Sequence, residues 1–119
     1  MQRPLLIISR SLFLVTLAAV TYFSLAPAPV AGPGRWDKAA HLVAYGVLGF
    51  LMVLAMPPRW KGLQRTLVAV VAVVAYGIAL EFVQRVTGRQ FEVADMVADA
   101  IGAGLGAVSG WLVSRKLAG

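Results

Sequence analysis

The chain has 119 residues, of which 60% are hydrophobic and only 13% are charged, and its mean hydropathy is +0.81. A soluble domain of this length would need far more polar surface to cover its core, so the composition predicts an integral membrane protein. The net charge of +6 does not indicate nucleic-acid binding, because the cations stand at the ends of apolar runs without interleaved aromatic residues. The absence of cysteine excludes disulfides and thiolate metal sites.

Four apolar runs predict an all-α fold of four membrane-spanning helices. The runs cover about 11–28, 38–56, 66–84 and 95–114. Each is close to the length that crosses about 30 Å of hydrocarbon as a helix. The connections are short, so successive helices should run antiparallel, up-down-up-down, in a single domain of residues 1–119.

The first run has an alternative interpretation as a signal peptide. Arg3 and Arg10 precede its apolar core, and Ala26-Pro27-Ala28 resembles a small-residue cleavage site. The core is long for a signal peptide, which favours a first helix that is retained in the membrane.

The distribution of cations predicts that both termini are cytoplasmic. In that orientation, seven of the 11 Lys and Arg residues lie on the cytoplasmic side and four on the outer side. All five acids and the only histidine, His41, then lie on the outer side. One end is purely basic, as topology requires, whereas the mixture of charges at the other end needs a separate explanation.

Helical spacing places the polar residues of the outer end on one face of each of three helices. These residues, with the small residues that continue their faces, are Asp37, His41, Tyr45, Gly49, Gly77, Glu81, Gln84, Asp95 and Asp99. Taken alone, Asp95 is equally well explained as a first-turn acid favoured by the helix dipole, and His41 as an interfacial hydrogen-bonding residue. Ionisable groups at one depth on three helices are harder to explain in that way, because such groups are costly near hydrocarbon. We therefore expect a shared polar pocket in the outer leaflet.

Small residues extend the polar face of the fourth predicted helix. Gly102, Gly106 and Gly110 are spaced four apart, and this pattern lets another helix backbone approach closely. We expect a helix contact there. The spacing leaves open whether the partner helix belongs to the same chain or to a second copy in a homo-oligomer.

The combined spacing of these residues resembles the VanZ-like family of small bacterial membrane proteins. The likeness covers roughly residues 36–112 and is carried by DKAAHLVAYGVLGFL, from Asp37, and LEFVQRVTGRQFEVADMVADAIGAGLG, from Leu80. The matching positions are Asp37, Lys38, His41, Tyr45, Gly49, Glu81, Gln84, Gly88, Arg89, Asp95 and Gly102. Asp99 departs from the pattern, since family members often have Asn there. The resemblance implies a multi-pass protein of the bacterial inner, or cytoplasmic, membrane and a link to resistance to the glycopeptide teicoplanin, but no reaction.

The residue types favour binding of an anionic envelope lipid or its headgroup, such as a lipid-linked cell-wall precursor. Lys38 and Arg89 would contact phosphate, while the acids orient those cations and accept hydrogen bonds from hydroxyl or amide groups. We also expect Glu81, Arg89 and Asp95 to form a charge-paired cluster. The expected ligand-binding residues are Asp37, Lys38, His41, Tyr45, Glu81, Gln84, Arg89, Asp95 and Asp99.

The alternative is a membrane-embedded enzyme that acts on a phospholipid or a polyprenyl-phosphate-linked precursor. His41, Glu81 and Asp95 are the candidate catalytic residues, and their types also suit a divalent cation. No catalytic motif with a recognised spacing is present, so the sequence assigns no metal and indicates no cofactor. A proton relay through one chain is disfavoured because the inner halves of the helices contain no acids or histidines. A structural role beside another membrane protein stays open.

Overall fold

The computed structural model describes residues 3–25, 34–57, 59–60, 62–86 and 93–118, and it forms four helices. They are α1 (Arg3–Leu25), α2 (Gly34–Ala55), α3 (Gly62–Val86) and α4 (Val93–Ala118). The predicted all-α, four-helix fold is thus confirmed. The helices are longer than the apolar runs that predicted them, because polar residues such as Arg3, Arg65 and Arg115 continue the helices beyond their apolar segments.

The length and composition of the helices are those of a membrane protein. Arg3–Phe23, Gly62–Val83 and Met96–Leu117 are each long and apolar enough to cross a membrane, and α2 adds a shorter apolar segment, Ala39–Ala55. The longest dimension of the chain is 47 Å, close to the thickness of a bilayer with its headgroup regions, about 40–45 Å.

Large apolar side chains cover the outside of the helices. Leu14 is 63% exposed, Val71 66% and Leu105 62%. Apolar surface on this scale is unfavourable in water but suits contact with lipid chains. The exposed surface and the apolar helices therefore point to the same solvent, the hydrocarbon of a membrane.

The central contact of the bundle joins α2 and α4, which are not consecutive. The two helices run parallel, since Gly46 lies beside Gly102 and Gly106, and Phe50 lies beside Gly110 farther along both helices. α3 packs against both of them, whereas α1 packs against α2 and α3; between the described parts of α1 and α4 there is no such contact.

Glycines allow α2 and α4 to approach this closely. A Cβ atom on Gly106 would overlap the carbonyl oxygen of Gly46, and one on Gly102 would overlap that of Leu42. A Cβ atom on Gly110 would lie 2.8 Å from the carbonyl oxygen of Phe50. The glycines predicted to pack a helix therefore meet α2 of the same chain.

Two arginines close the C-terminal end of α2. Arg10 of α1 donates from Nε to the carbonyl oxygen of Ala55 at 2.9 Å. Arg65 of α3, only 8% exposed, donates to the carbonyl oxygens of Val53 at 2.7 Å and Met56 at 3.2 Å. The last carbonyls of a helix lack partners within the helix and carry partial negative charge, so cations are favoured there. We call this the basic end of the bundle.

Candidate functional site

The opposite end of the bundle, which we call the polar end, is defined by His41, Glu81 and Asp99. His41 lies on α2 and Asp99 on α4, close to the point where the glycine contact begins. Nδ1 of the His41 ring lies 2.7 Å from Oδ1 of Asp99. Asp99 is 3% exposed, and a carboxylate withdrawn from water this far requires hydrogen-bond donors. The pair therefore joins the two parallel helices through a buried polar contact.

Tyr45 extends this contact one turn deeper along α2. Its ring stacks on that of His41, with centroids 6.0 Å apart and planes inclined by 10°. Tyr45 is 2% exposed and belongs to the core cluster of Leu48, Val73 and Ala103. The imidazole of His41 is thus held from two sides, by the Asp99 carboxylate and by a buried aromatic ring.

Glu81 faces the same region from α3 and is 2% exposed. It lies one helical turn beyond Gly77, where a Cβ atom would be 2.8 Å from the Tyr45 ring and 3.3 Å from Oδ2 of Asp99. The absence of a side chain at Gly77 lets α3 approach the pair.

The structure therefore brings together His41, Tyr45, Glu81 and Asp99 among the predicted ligand-binding residues. Asp37 and Lys38 lie in the first turns of α2, Gln84 in the last turn of α3, and Asp95 in the first turn of α4, all at the polar end. The side chains of those four residues, and the whole of Arg89, lie outside the described residues. The expected cluster of Glu81, Arg89 and Asp95 lies partly outside them for the same reason.

Two further polar residues belong to this region and were not predicted from the sequence. The ring of Tyr76, on α3, lies 6.5 Å from that of Tyr45. Its hydroxyl is hydrogen-bonded to the hydroxyl of Thr21 on α1 and donates to the carbonyl oxygen of Leu17 at 3.4 Å. The sequence does contain a signal for Tyr76, because it is a tyrosine in the otherwise apolar middle of α3, next to Gly77. Through Tyr76, all four helices contribute to the polar region.

Within the described part of the chain, no group of three or more His, Asp and Glu side chains is placed to hold a metal ion.

A cavity of about 340 Å³ lies between α3 and α4 and reaches Asp99. The other described residues that line it are apolar: Val74, Ile78, Met96, Val97 and Ala100. Val97 is 52% exposed and Ile78 36%, so the cavity borders the surface that faces lipid. Small-molecule sites in proteins have this character, a mostly apolar cleft with a few polar groups that fix orientation.

A larger groove, of about 570 Å³, lies between α1, α2 and α4. It is lined mainly by apolar side chains such as Leu12, Val47 and Phe50, and its side-chain polar groups are the hydroxyls of Thr16 and Ser109. Ser109 donates to the carbonyl oxygen of Leu105 within its own helix. No charged side chain among the described residues lines this groove, so the smaller cavity, which includes Asp99, is the better candidate for a polar ligand.

The model of the family described as VanZ/LLP1 matches residues 3–114, nearly the whole chain. No curated protein and no solved structure matches the chain.

Proposed function

The chain belongs to the VanZ/LLP1 family of membrane proteins, and we propose that it binds an anionic envelope lipid, through its headgroup, at the polar end of the bundle. The observation that carries this proposal is the buried pair of His41 and Asp99, with Glu81 beside it, in a chain whose outer surface is apolar. Ionisable groups held inside a membrane bundle are costly and are retained mainly where they serve a function.

The polar end offers two kinds of group to such a ligand. Asp99 and Glu81 accept hydrogen bonds, whereas Lys38 and Arg89 are the expected contacts of a phosphate. With both termini in the cytoplasm, this site faces the outer leaflet of the bacterial cytoplasmic membrane. A lipid-linked cell-wall precursor combines a phosphate with hydroxyl and amide groups, which suits this mixture of charges.

The link to teicoplanin resistance is part of the same proposal. It comes from the resemblance to the VanZ-like family, and lipid binding offers it a physical basis, because a protein that holds envelope precursors alters what is exposed to a glycopeptide. Expression of the wild-type chain in a susceptible bacterium is expected to raise the inhibitory concentration of teicoplanin, and the Asp99→Ala variant is expected to raise it less.

A second candidate function, an enzyme that acts on the bound lipid, is favoured by one observation. A carboxylate on Nδ1 of a histidine fixes the tautomer of the ring, which is how many general-base histidines are oriented. Release of headgroup phosphate from a bilayer-embedded lipid would support catalysis. Binding without turnover, in both the presence and the absence of Mg²⁺, would support binding as the function and argue against catalysis.

Lipid retention by two matched variants tests the proposal. Lys38→Ala and Arg115→Ala each remove one cation, but at opposite ends of the parallel pair of α2 and α4. Native mass spectrometry of protein purified from its own membrane should detect lipid on the wild type and on Arg115→Ala, and less on Lys38→Ala. Equal retention by both variants would refute a headgroup site at the polar end.

A further inference from the structure

The cavity between α3 and α4 connects the surrounding lipid with Asp99. We infer that the ligand enters sideways between these helices, places one apolar chain in the cavity and presents a hydrogen-bond donor of its headgroup to Asp99. This inference rests on the proposed function and adds the entry route and the chemical class of the headgroup. The donor would be an ammonium, a hydroxyl or an amide N–H.

The shape and lining of the cavity support this route. Of the six described residues that line it, five are apolar, and the sixth, Asp99, is 3% exposed. Val97 and Ala100 lie on the exposed side of α4, so an apolar chain of the ligand in the cavity would stay in contact with the lipid around the bundle. An apolar chain therefore keeps an apolar environment along the whole path to the carboxylate.

The charge at the inner end of the cavity selects the headgroup. An ionised carboxylate only accepts hydrogen bonds, and its two oxygens offer about four lone-pair sites, so Asp99 can hold His41 and a further donor. Glu81, on α3, adds a second buried acid to this region. A phosphate in contact with both acids would be repelled by them, so the phosphate lies on the outer side of the His41 ring, near the expected cations Lys38 and Arg89, and the donor group of the headgroup points inward to Asp99.

Two single-chain probes separate donor recognition from general lipid binding. They are an alkyl phosphoethanolamine and an alkyl phosphocholine with the same photoactivatable group in the chain. Both are zwitterionic and carry a phosphate, but only the first has N–H donors. We expect the phosphoethanolamine probe to label residues of the cavity, such as Met96 and Val97, several-fold more than the phosphocholine probe. Equal labelling by the two probes, or labelling elsewhere on the bundle, would overturn the inference.

Two tryptophan variants test whether the apolar chain of the ligand lies in the cavity. Ala100→Trp fills the cavity, whereas Leu105→Trp places the same side chain on an α4 position that is 62% exposed and outside the cavity. We expect Ala100→Trp to lose the labelling of Met96 and Val97, and Leu105→Trp to keep it. If Ala100→Trp does not fold, the comparison of the two probes on the wild-type protein still decides.

The outcomes distinguish this inference from the proposed function. If lipid retention depends on Lys38 but Ala100→Trp keeps the labelling of the cavity, the lateral site would be overturned and the headgroup site would be supported. If the phosphoethanolamine probe labels the cavity but Lys38→Ala retains as much lipid as the wild type, the lateral site would be supported and the assigned phosphate contact of Lys38 would be refuted.

Discussion

Nδ1 of His41 and Oδ1 of Asp99 lie 2.7 Å apart and connect α2 to α4 at the polar end, although 58 positions separate them in the chain. The Asp99 side chain is almost fully buried, and the His41 side chain is 18% exposed. The contact therefore anchors the parallel helix pair on the side where the proposed ligand arrives.

Replacement of Asp99 tests the contribution of this contact. Asp99→Ala removes the acceptor that lies 2.7 Å from Nδ1 of His41, and we expect a loss of about 1–3 kcal/mol in the free energy of unfolding. Asp99→Asn keeps a carbonyl oxygen that can accept from Nδ1–H, so it should lose less. Thermal stability in detergent measures both. If the two variants melt alike, hydrogen bonding to His41 is not what Asp99 contributes.

Two glycines of α4 offer a matched test of helix packing. A methyl group on Gly106 would overlap the backbone of Gly46, whereas no described atom of another helix lies within 4 Å of a Cβ atom on Gly104. We expect Gly106→Ala to destabilise the bundle by about 1–3 kcal/mol, the usual cost of added volume in a packed core. Gly104→Ala should be neutral or stabilising, since alanine favours a helix over glycine by up to about 1 kcal/mol. Equal melting temperatures would show that the close approach of α2 and α4 is not required.

Arg65 tests whether the basic end is structural as well as topological. Arg65→Met keeps much of the side-chain volume but removes both donors to the end of α2, whereas Arg59→Met removes one positive charge from an exposed position in the adjacent turn. We expect only Arg65→Met to lower thermal stability, because it leaves buried carbonyl oxygens without donors. Equal effects of the two variants would mean that the positive charge, not the hydrogen bonds, is what matters.

Orientation in the membrane is tested by labelling single cysteines in intact cells. Cysteines at Gly32 and Gly88, in the connections at the polar end, should react with an impermeant reagent added outside, and a cysteine at Arg59 should not. Arg59 is used for the cytoplasmic cysteine instead of the nearby Gly62, because Gly62 has a φ of +57°, a backbone conformation in which a side chain is strained. Labelling of Arg59→Cys alone would place the polar end in the cytoplasm.

The sequence predicted the helices and a polar pocket shared by three of them, but not that α2 and α4 form the central contact of the bundle. Spacing by four placed His41, Tyr45, Glu81 and Asp99 on helical stripes, because one helix determines that geometry. The pairing of α2 with α4 depends on how several helices pack together, so the glycine spacing on each helix did not reveal it. Arg65 was counted only as a topology signal, since counting cations says nothing about the carbonyl groups they contact.

The headgroup site at the polar end is tested most directly by solid-state nuclear magnetic resonance, in membranes made from native lipid. The measured quantity is the coupling between the ring nitrogens of His41 and lipid phosphorus. His41 is the only histidine, so histidine-selective labelling reports this ring alone. A headgroup site at the polar end predicts a dipolar coupling to lipid phosphorus in the wild type that is lost in Lys38→Ala. A wild-type ring with no coupling to lipid phosphorus would contradict a headgroup site at the polar end.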